Sequence, residues 1–172
     1  LAIFQLYADF SGYSDMAIGL GKLLGVNVTR NFKYPFFATN IAEFWRRWHI
    51  SLTKWMTDYV FTPLSFGMRR WGKFGLIVAI IVNMLLVGLW HGDNWTYAVF
   101  GLFHGLLFIP LIITGGINAR QNEKTIKFGL PHPVSFIKMI CIFALCTCGI
   151  IIFNADSVSA AVGYFKSMAD ID

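Results

Sequence analysis

Apolar residues in this chain fall into long runs, separated by short stretches that hold most of the charge. Phe74 to Trp90 is the first clear run. At about 1.5 Å per residue its helix covers roughly 26 Å, close to the hydrocarbon thickness of a bilayer. Asn83, near its middle, must then face a neighbour or a cavity. Trp95 to Thr114 is the second run, with His104 central and Pro110 set to kink it. After a polar, basic connection from Gly115 to Pro133, Val134 to Phe153 forms a third span, with Lys138 close enough to its start to snorkel. The mildly amphipathic remainder, Asn154 to Asp172, predicts an interfacial helix.

The first half of the chain follows a different pattern. Leu1 to Val26 is apolar but interrupted by Gln5, Asp9, Ser11, Ser14 and Asp15. Two carboxylates exclude a lipid-facing span, so this stretch predicts a buried helix, broken near Ser11-Gly12. Ala8, Ser11, Gly12, Gly19 and Gly21 would let another helix approach closely. Between Asn27 and Lys73 there is no spanning run. The residue before Pro35 avoids the helical region, which predicts an extended or turn segment over Lys33 to Phe37. Thr39 or Asn40 can cap a helix that starts at Ile41, with Glu43 in its first turn. From there to about Tyr59, Trp45, Trp48, Leu52, Trp55, Met56 and Tyr59 recur at three- and four-residue spacing as one apolar-aromatic stripe. A Trp-rich, Arg/Lys-rich amphipathic helix reads as lying in the membrane interface. Pro63 and Gly67 end it ahead of the cluster Arg69, Arg70 and Lys73.

Composition agrees with a membrane reading: 56% of the 172 residues are hydrophobic and 13% are charged, and mean hydropathy is +0.61. A soluble domain is about 45–50% apolar and about 25% charged. The 17 Phe, six Trp and six Tyr supply aromatic residues for the headgroup region. The expected fold is all-α, with polytopic transmembrane helices and interfacial amphipathic helices, in one domain over residues 1–172. The net charge of +5 does not indicate nucleic acid, because the cations flank the apolar runs. Arg69, Arg70 and Lys73 precede the first span and Arg120, Lys124 and Lys127 follow the second, which predicts cytoplasmic loops there and an outward-facing turn at Gly92 to Asn94. Cys141, Cys146 and Cys148 are odd in number and lack zinc or redox spacing, so they read as buried small hydrophobes. The chain starts at Leu1 without a charged leader or cleavage site, and reads as an internal piece of a longer protein.

The candidate chemistry centres on His91, in Trp90-His91-Gly92 at the end of the first span. An ionisable group there is costly, and His is the side chain best suited to moving protons near neutral pH. His104 is the weaker candidate, read first as a packing or cavity-lining residue, and His132, between two prolines, is a loop residue. Asp9 and Asp15 read first as helix–helix hydrogen-bonding groups. Without an HExxH motif, and with no partner for His49 at ligand spacing, no metal site is expected.

Two blocks carry a resemblance to a known family. Phe44-Trp-Arg-Arg-Trp-His49-Ile-Ser-Leu, continuing to Asp58-Tyr59 and Pro63-Leu64, resembles a signature of the membrane-bound O-acyltransferase (MBOAT) family, in its bacterial branch of alginate O-acetylation proteins and D-alanyl lipoteichoic acid transferases. Gly88-Leu-Trp-His91-Gly, Trp95 and Gly101-Leu-Phe-His104-Gly105 are similar to the other hallmark of that branch. Gln5 to Asp15 looks like its upstream segment, and Phe153-Asn-Ala-Asp-Ser157 like the stretch before its final helices, with Asn154 where an Arg is common.

The resemblance implies a fragment of a larger multi-helix fold that encloses a tunnel, with His91 as the catalytic histidine and His49 as the second motif histidine. It implies transfer of an acyl group, acetyl first, from a cytoplasmic thioester (acetyl-coenzyme A or an acyl-carrier protein) toward an extracytoplasmic polysaccharide, in the bacterial cytoplasmic membrane. No bound cofactor is implied, and the expected partners are membrane lipid, the acyl donor and a periplasmic acetyltransferase of the SGNH type. His91 would be the general base, and His49 would orient substrate, hydrogen-bond the thioester carbonyl or share the proton path. Arg46 and Arg47 could bind the donor's phosphates, with a solvated or headgroup-facing pair equally open. Trp90 and Asn83 join them as substrate-binding candidates, although packing is the more ordinary role for Asn83. Two alternatives remain: D-alanyl transfer from a carrier protein to teichoic acid, and a non-enzymatic transporter subunit with Asp9, Asp15 and His91 as a proton relay.

Overall fold

The computed structural model describes residues 1–116 and 131–169, which are 80% helical and contain no strand among the described residues. The chain divides into two compact units: Leu1–Trp55 with Arg120–Ala144, and Met56–Ala119 with Leu145–Asp172.

In the first unit, α1 runs unbroken over Ala2–Leu23. The expected break at Ser11-Gly12 is absent: the helix continues through both residues, and the Ser11 hydroxyl donates back to the Ala8 carbonyl at 3.4 Å. Asp9 and Asp15 are exposed and the spaces beside Gly12 and Gly19 are open, so the helix is not buried there as expected; at Gly21 the loop that follows α1 does close in, where a Cβ would lie 2.7 Å from Val28 Cγ2 and 2.9 Å from the Val26 carbonyl oxygen. A 3₁₀ turn over Pro35–Phe37 follows, with Tyr34 left-handed at φ 49°. Next come α2 (Ile41–Arg47) and α3 (Ile50–Met56). The start of α2 is as expected: the Asn40 side chain accepts from the Glu43 amide at 2.8 Å. In return the Glu43 carboxylate accepts from the Thr39 amide at 2.8 Å and the Thr39 hydroxyl at 2.9 Å. Such a reciprocal cap satisfies orphan amides and contributes about 1 kcal/mol. Aromatic packing fills the core. Tyr7 and Phe10 of α1 meet Phe32 edge-on, Phe32 meets Trp48 at 5.0 Å, and Trp48 stacks on Phe44 at 17°.

A further expectation fails in this unit. The single helix predicted from Ile41 to Tyr59 is broken at Trp48, which is extended, and at His49, which is left-handed at φ 45°. The stripe is divided accordingly: Trp45, Trp48, Leu52 and Met56 are buried, whereas Trp55 and Tyr59 are exposed.

The second unit begins with Met56, continues through a π-helical turn over Thr57–Phe61, and then forms α4 (Thr62–Gly67) and a 3₁₀ turn over Arg69–Trp71. The helices α5 (Gly72–Leu89) and α6 (Trp95–Leu107) pair as an antiparallel hairpin. Their backbones approach closely where Gly88 and Gly101 lie: a Cβ would sit 2.1 Å from the Tyr97 carbonyl oxygen and 2.3 Å from that of Met84. Only a residue without a side chain fits at either point. The second span is interrupted at Phe108 before α7 (Ile109–Ile113), as Pro110 led one to expect, since proline cannot donate to the preceding turn. Lys73 ties the start of α5 to the Ile113 carbonyl at 2.7 Å. The third long helix, α8 (Pro133–Asn154), contributes residues to both units, and α9 (Val158–Ala169) follows a short corner.

Among the described residues three helical segments, Arg69–Leu89, Trp95–Ile113 and Pro133–Asn154, are long and apolar enough to cross a membrane. Val134, Phe136, Ile137 and Ile140 expose their side chains along α8, the arrangement a lipid solvent permits. Cys146 is buried and free, but Cys141 is exposed, contrary to the expectation that all three thiols are buried. The basic loop of Arg120, Lys124 and Lys127, on which the expected orientation rests, lies outside the described residues.

Candidate functional site

The predicted site residues fall in both units. In the first unit, His49 occupies the junction between α2 and α3. A left-handed backbone costs a non-glycine residue about 1–2 kcal/mol and persists only where neighbours enforce it. Here the enforcing residue is Asn31. Its carbonyl accepts from the Ile50 amide at 3.0 Å. Its side-chain oxygen accepts from the Ser51 amide at 3.1 Å and the Ser51 hydroxyl at 2.6 Å, which fixes the first turn of α3. The Lys33 amide donates to the Arg47 carbonyl at 3.0 Å, closing the same strap on the end of α2. The His49 ring, half-buried, meets Phe10 edge-on at 4.7 Å.

Arg46 and Arg47, expected as a pair, have different surroundings. Arg47 pairs with Glu43 one turn back and donates to the Tyr34 carbonyl at 3.3 Å, whereas Arg46 is exposed.

In the second unit, His91 lies in the turn after α5. Trp90, 58% exposed, meets its ring edge-on at 5.0 Å. Phe153, on the last turn of α8, meets the imidazole at 4.9 Å and 89°. Tyr97 of α6 lies 6.2 Å from the imidazole and 4.9 Å from Phe153. This apolar surrounding disfavours the cation, so burial lowers the His91 pKa below the usual 6.5. The neutral form, which can accept a proton, is therefore the favoured one at pH 7.

Deeper in the same unit, His104 is 1% exposed, with Phe100 at 4.6 Å and Phe103 at 5.6 Å. Its Nε2 occupies space that only a glycine at 149 leaves: a Cβ there would be 2.4 Å away. This fits the packing role expected of it. Asn83 is buried in α5, and its side-chain oxygen has no hydrogen-bond partner among the described residues. His132 remains a loop residue whose Nδ1 accepts from the Val134 amide at the start of α8.

Sequence reasoning did not single out Asn31 or Asn94 as site residues, and it noted Phe153 only in the family-like stretch before the final helices, without its contact to His91. Asn94 had a local signal, as a residue able to cap α6, and its side chain does accept from the Thr96 amide at 3.1 Å. The contacts of Asn31 and Phe153 span 20 and 62 residues and have no local signature.

Comparison with known proteins completes the description. The probable alginate O-acetylase AlgI of Pseudomonas aeruginosa is 40% identical over 164 residues, 95% of this chain and 29% of its own length. The peptidoglycan O-acetyltransferase of Helicobacter pylori is 33% identical over 169 residues, 98% of this chain and 30% of its own. The teichoic acid D-alanyltransferase of Bacillus subtilis is 39% identical over 107 residues, 59% of this chain and 27% of its own. The chain thus spans less than a third of the length of these relatives. Residues 1–153 match the sequence profile of the membrane-bound O-acyltransferase family. A match over so much of the chain, joined to three apolar helices among the described residues, identifies this chain as a member of the MBOAT family of membrane proteins.

Proposed function

We propose that the full-length protein is an O-acyltransferase that crosses the bacterial cytoplasmic membrane several times and moves an acetyl group from a cytoplasmic thioester toward a hydroxyl of an extracytoplasmic polysaccharide. The observation that carries this reading is the half-buried imidazole of His91 at the end of an apolar helix, in a chain that matches an acyltransferase family over residues 1–153. Acetyl is favoured over D-alanyl because the O-acetylating relatives align with 95–98% of the chain, against 59–60% for the D-alanyltransferases.

In this reading His91 is the general base. As the acceptor oxygen bonds to the thioester carbonyl carbon, the imidazole takes the hydroxyl proton; that proton leaves with the thiol when the carbon–sulfur bond breaks. A low pKa suits the role, since the base must be neutral when the acceptor arrives. His49 orients substrate or donates to the carbonyl as negative charge develops on its oxygen. Arg46, exposed on α2, meets the donor's phosphates, and Arg47, already paired with Glu43, contributes less. Trp90 offers an exposed indole to substrate, and the Asn83 side-chain oxygen accepts from a polar group that reaches it. A periplasmic acetyltransferase of the SGNH type receives the acetyl group and completes its transfer.

The test uses the full-length protein in membranes with labelled acetyl-coenzyme A. His91→Ala is expected to lower acetyl transfer by about 10²–10⁴-fold, the usual contribution of a general base. Undiminished transfer by folded His91→Ala would overturn the assignment. Consumption of a D-alanyl carrier thioester in place of acetyl-coenzyme A would overturn the choice of donor.

A further inference from the structure

The turn that carries His91 has few bonds of its own. The His91 amide donates to Gly88 at 3.0 Å and the Gly92 amide to Leu89 at 3.3 Å, the last bonds of a helix that is ending. Such termini fray unless something outside the helix holds them. Two independent contacts join this turn to the corner between α8 and α9. The first is the Phe153 ring, perpendicular to the imidazole at 4.9 Å and backed by Tyr97 at 4.9 Å and Phe100 at 5.2 Å. The second is Asn94, whose side-chain amide works in both directions: its oxygen caps α6 through the Thr96 amide, and its nitrogen donates to the Asp156 carbonyl at 3.2 Å. The cap needs only an acceptor. The bond to Asp156 needs a donor as well, which Asn supplies and Ser, Thr or Asp at the same cap does not at that reach.

We propose that the α8–α9 corner is a positioning device for His91, with Phe153 fixing the plane of the imidazole and Asn94 tying its turn to the Asp156 carbonyl. This inference rests on the reading of His91 as the base. Proton transfer requires a reach of about 2.6–3.2 Å, and displacement by about 1 Å can cost about 10²-fold in rate. A ring on a fraying helix end cannot hold that tolerance alone. The titratable groups around the turn are Tyr97 on α6, Asp93 in the turn itself and Asp156 at the corner; both carboxylates are exposed. Phe153 is the group that keeps the imidazole away from water on the α8 side.

The experiment measures kcat, the KM for acetyl-coenzyme A and the pH profile of the full-length protein in membranes, for Phe153→Leu, Phe153→Tyr, Asn94→Ser and His91→Ala. Asn94→Ser keeps the helix cap and removes only the bond to Asp156. Expected are a kcat about 10–100-fold lower in Phe153→Leu and Asn94→Ser with donor KM unchanged, and recovery toward wild type in Phe153→Tyr. The acid limb of the profile should also move to higher pH in Phe153→Leu, as water reaches the imidazole. Wild-type kcat and an unmoved acid limb in Asn94→Ser and Phe153→Leu, with His91→Ala inactive, would overturn the positioning role alone. Full activity in His91→Ala would instead remove the reading on which it rests. Should Phe153→Leu fail to fold, Asn94→Ser decides the question.

Discussion

The two candidate histidines are constrained in different places. At His49 the constraint lies in the backbone, left-handed between two helices and held by hydrogen bonds from residue 50 and Ser51 to Asn31. At His91 the backbone leaves α5 through ordinary turn bonds, and the constraint lies around the ring, with Trp90 and Phe153 both edge-on to it. Backbone strain sets the direction in which a side chain leaves the chain but does little to its proton affinity. Apolar rings do the reverse: they disfavour the cation, which is why burial lowers the His91 pKa. A substitution near His49 should therefore register first in stability, and one near His91 first in the pH dependence of the reaction.

The largest expected effect on stability comes from the hairpin on which the His91 turn stands. Gly101→Val drives a side chain into the Met84 carbonyl and should destabilise the protein by about 1–3 kcal/mol, read as lower membrane abundance and a lower melting temperature in detergent. Asn31→Ala comes next. It strips the Ser51 amide and hydroxyl of their acceptor and should cost about 1–2 kcal/mol while leaving the acid limb of the pH profile in place. A shifted limb in Asn31→Ala would erase the contrast between the two histidines. The smallest effect separates backbone from ring at His49. Both His49→Gly and His49→Ala lose the imidazole, but glycine adopts φ 45° freely, so His49→Gly should be the more stable by about 1 kcal/mol in parallel melts.

The same contrast explains what could be read in the sequence. The three spans were legible to within about two residues at most ends, because long apolar runs leave a chain in lipid no alternative to helix. The cap at Asn40 and Glu43 was legible because its partners lie within four residues of each other. The break at Trp48 and His49 was not. Its residues continue a helical stripe without interruption, and what stops the helix is Asn31, some 20 residues earlier. Likewise His91 stood out as an ionisable group beside an apolar run, whereas Phe153 closed a third span and opened a family-like stretch, with nothing local to set its ring against His91. In both units the histidine was visible in the sequence, and the long-range partner that fixes it was not.

The central claim is that a neutral His91 takes the acceptor's proton. It is tested most directly by the pH dependence of kcat/KM for acetyl transfer in the full-length protein, wild type against His91→Ala. A base whose pKa is lowered by burial is active above that pKa and lost as pH falls through it, so the midpoint of the wild-type acid limb should lie below pH 6.5, the ordinary value for histidine. His91→Ala should retain only a residual rate without that limb. A wild-type rate in His91→Ala, or the same acid limb in its residual activity, would contradict the account.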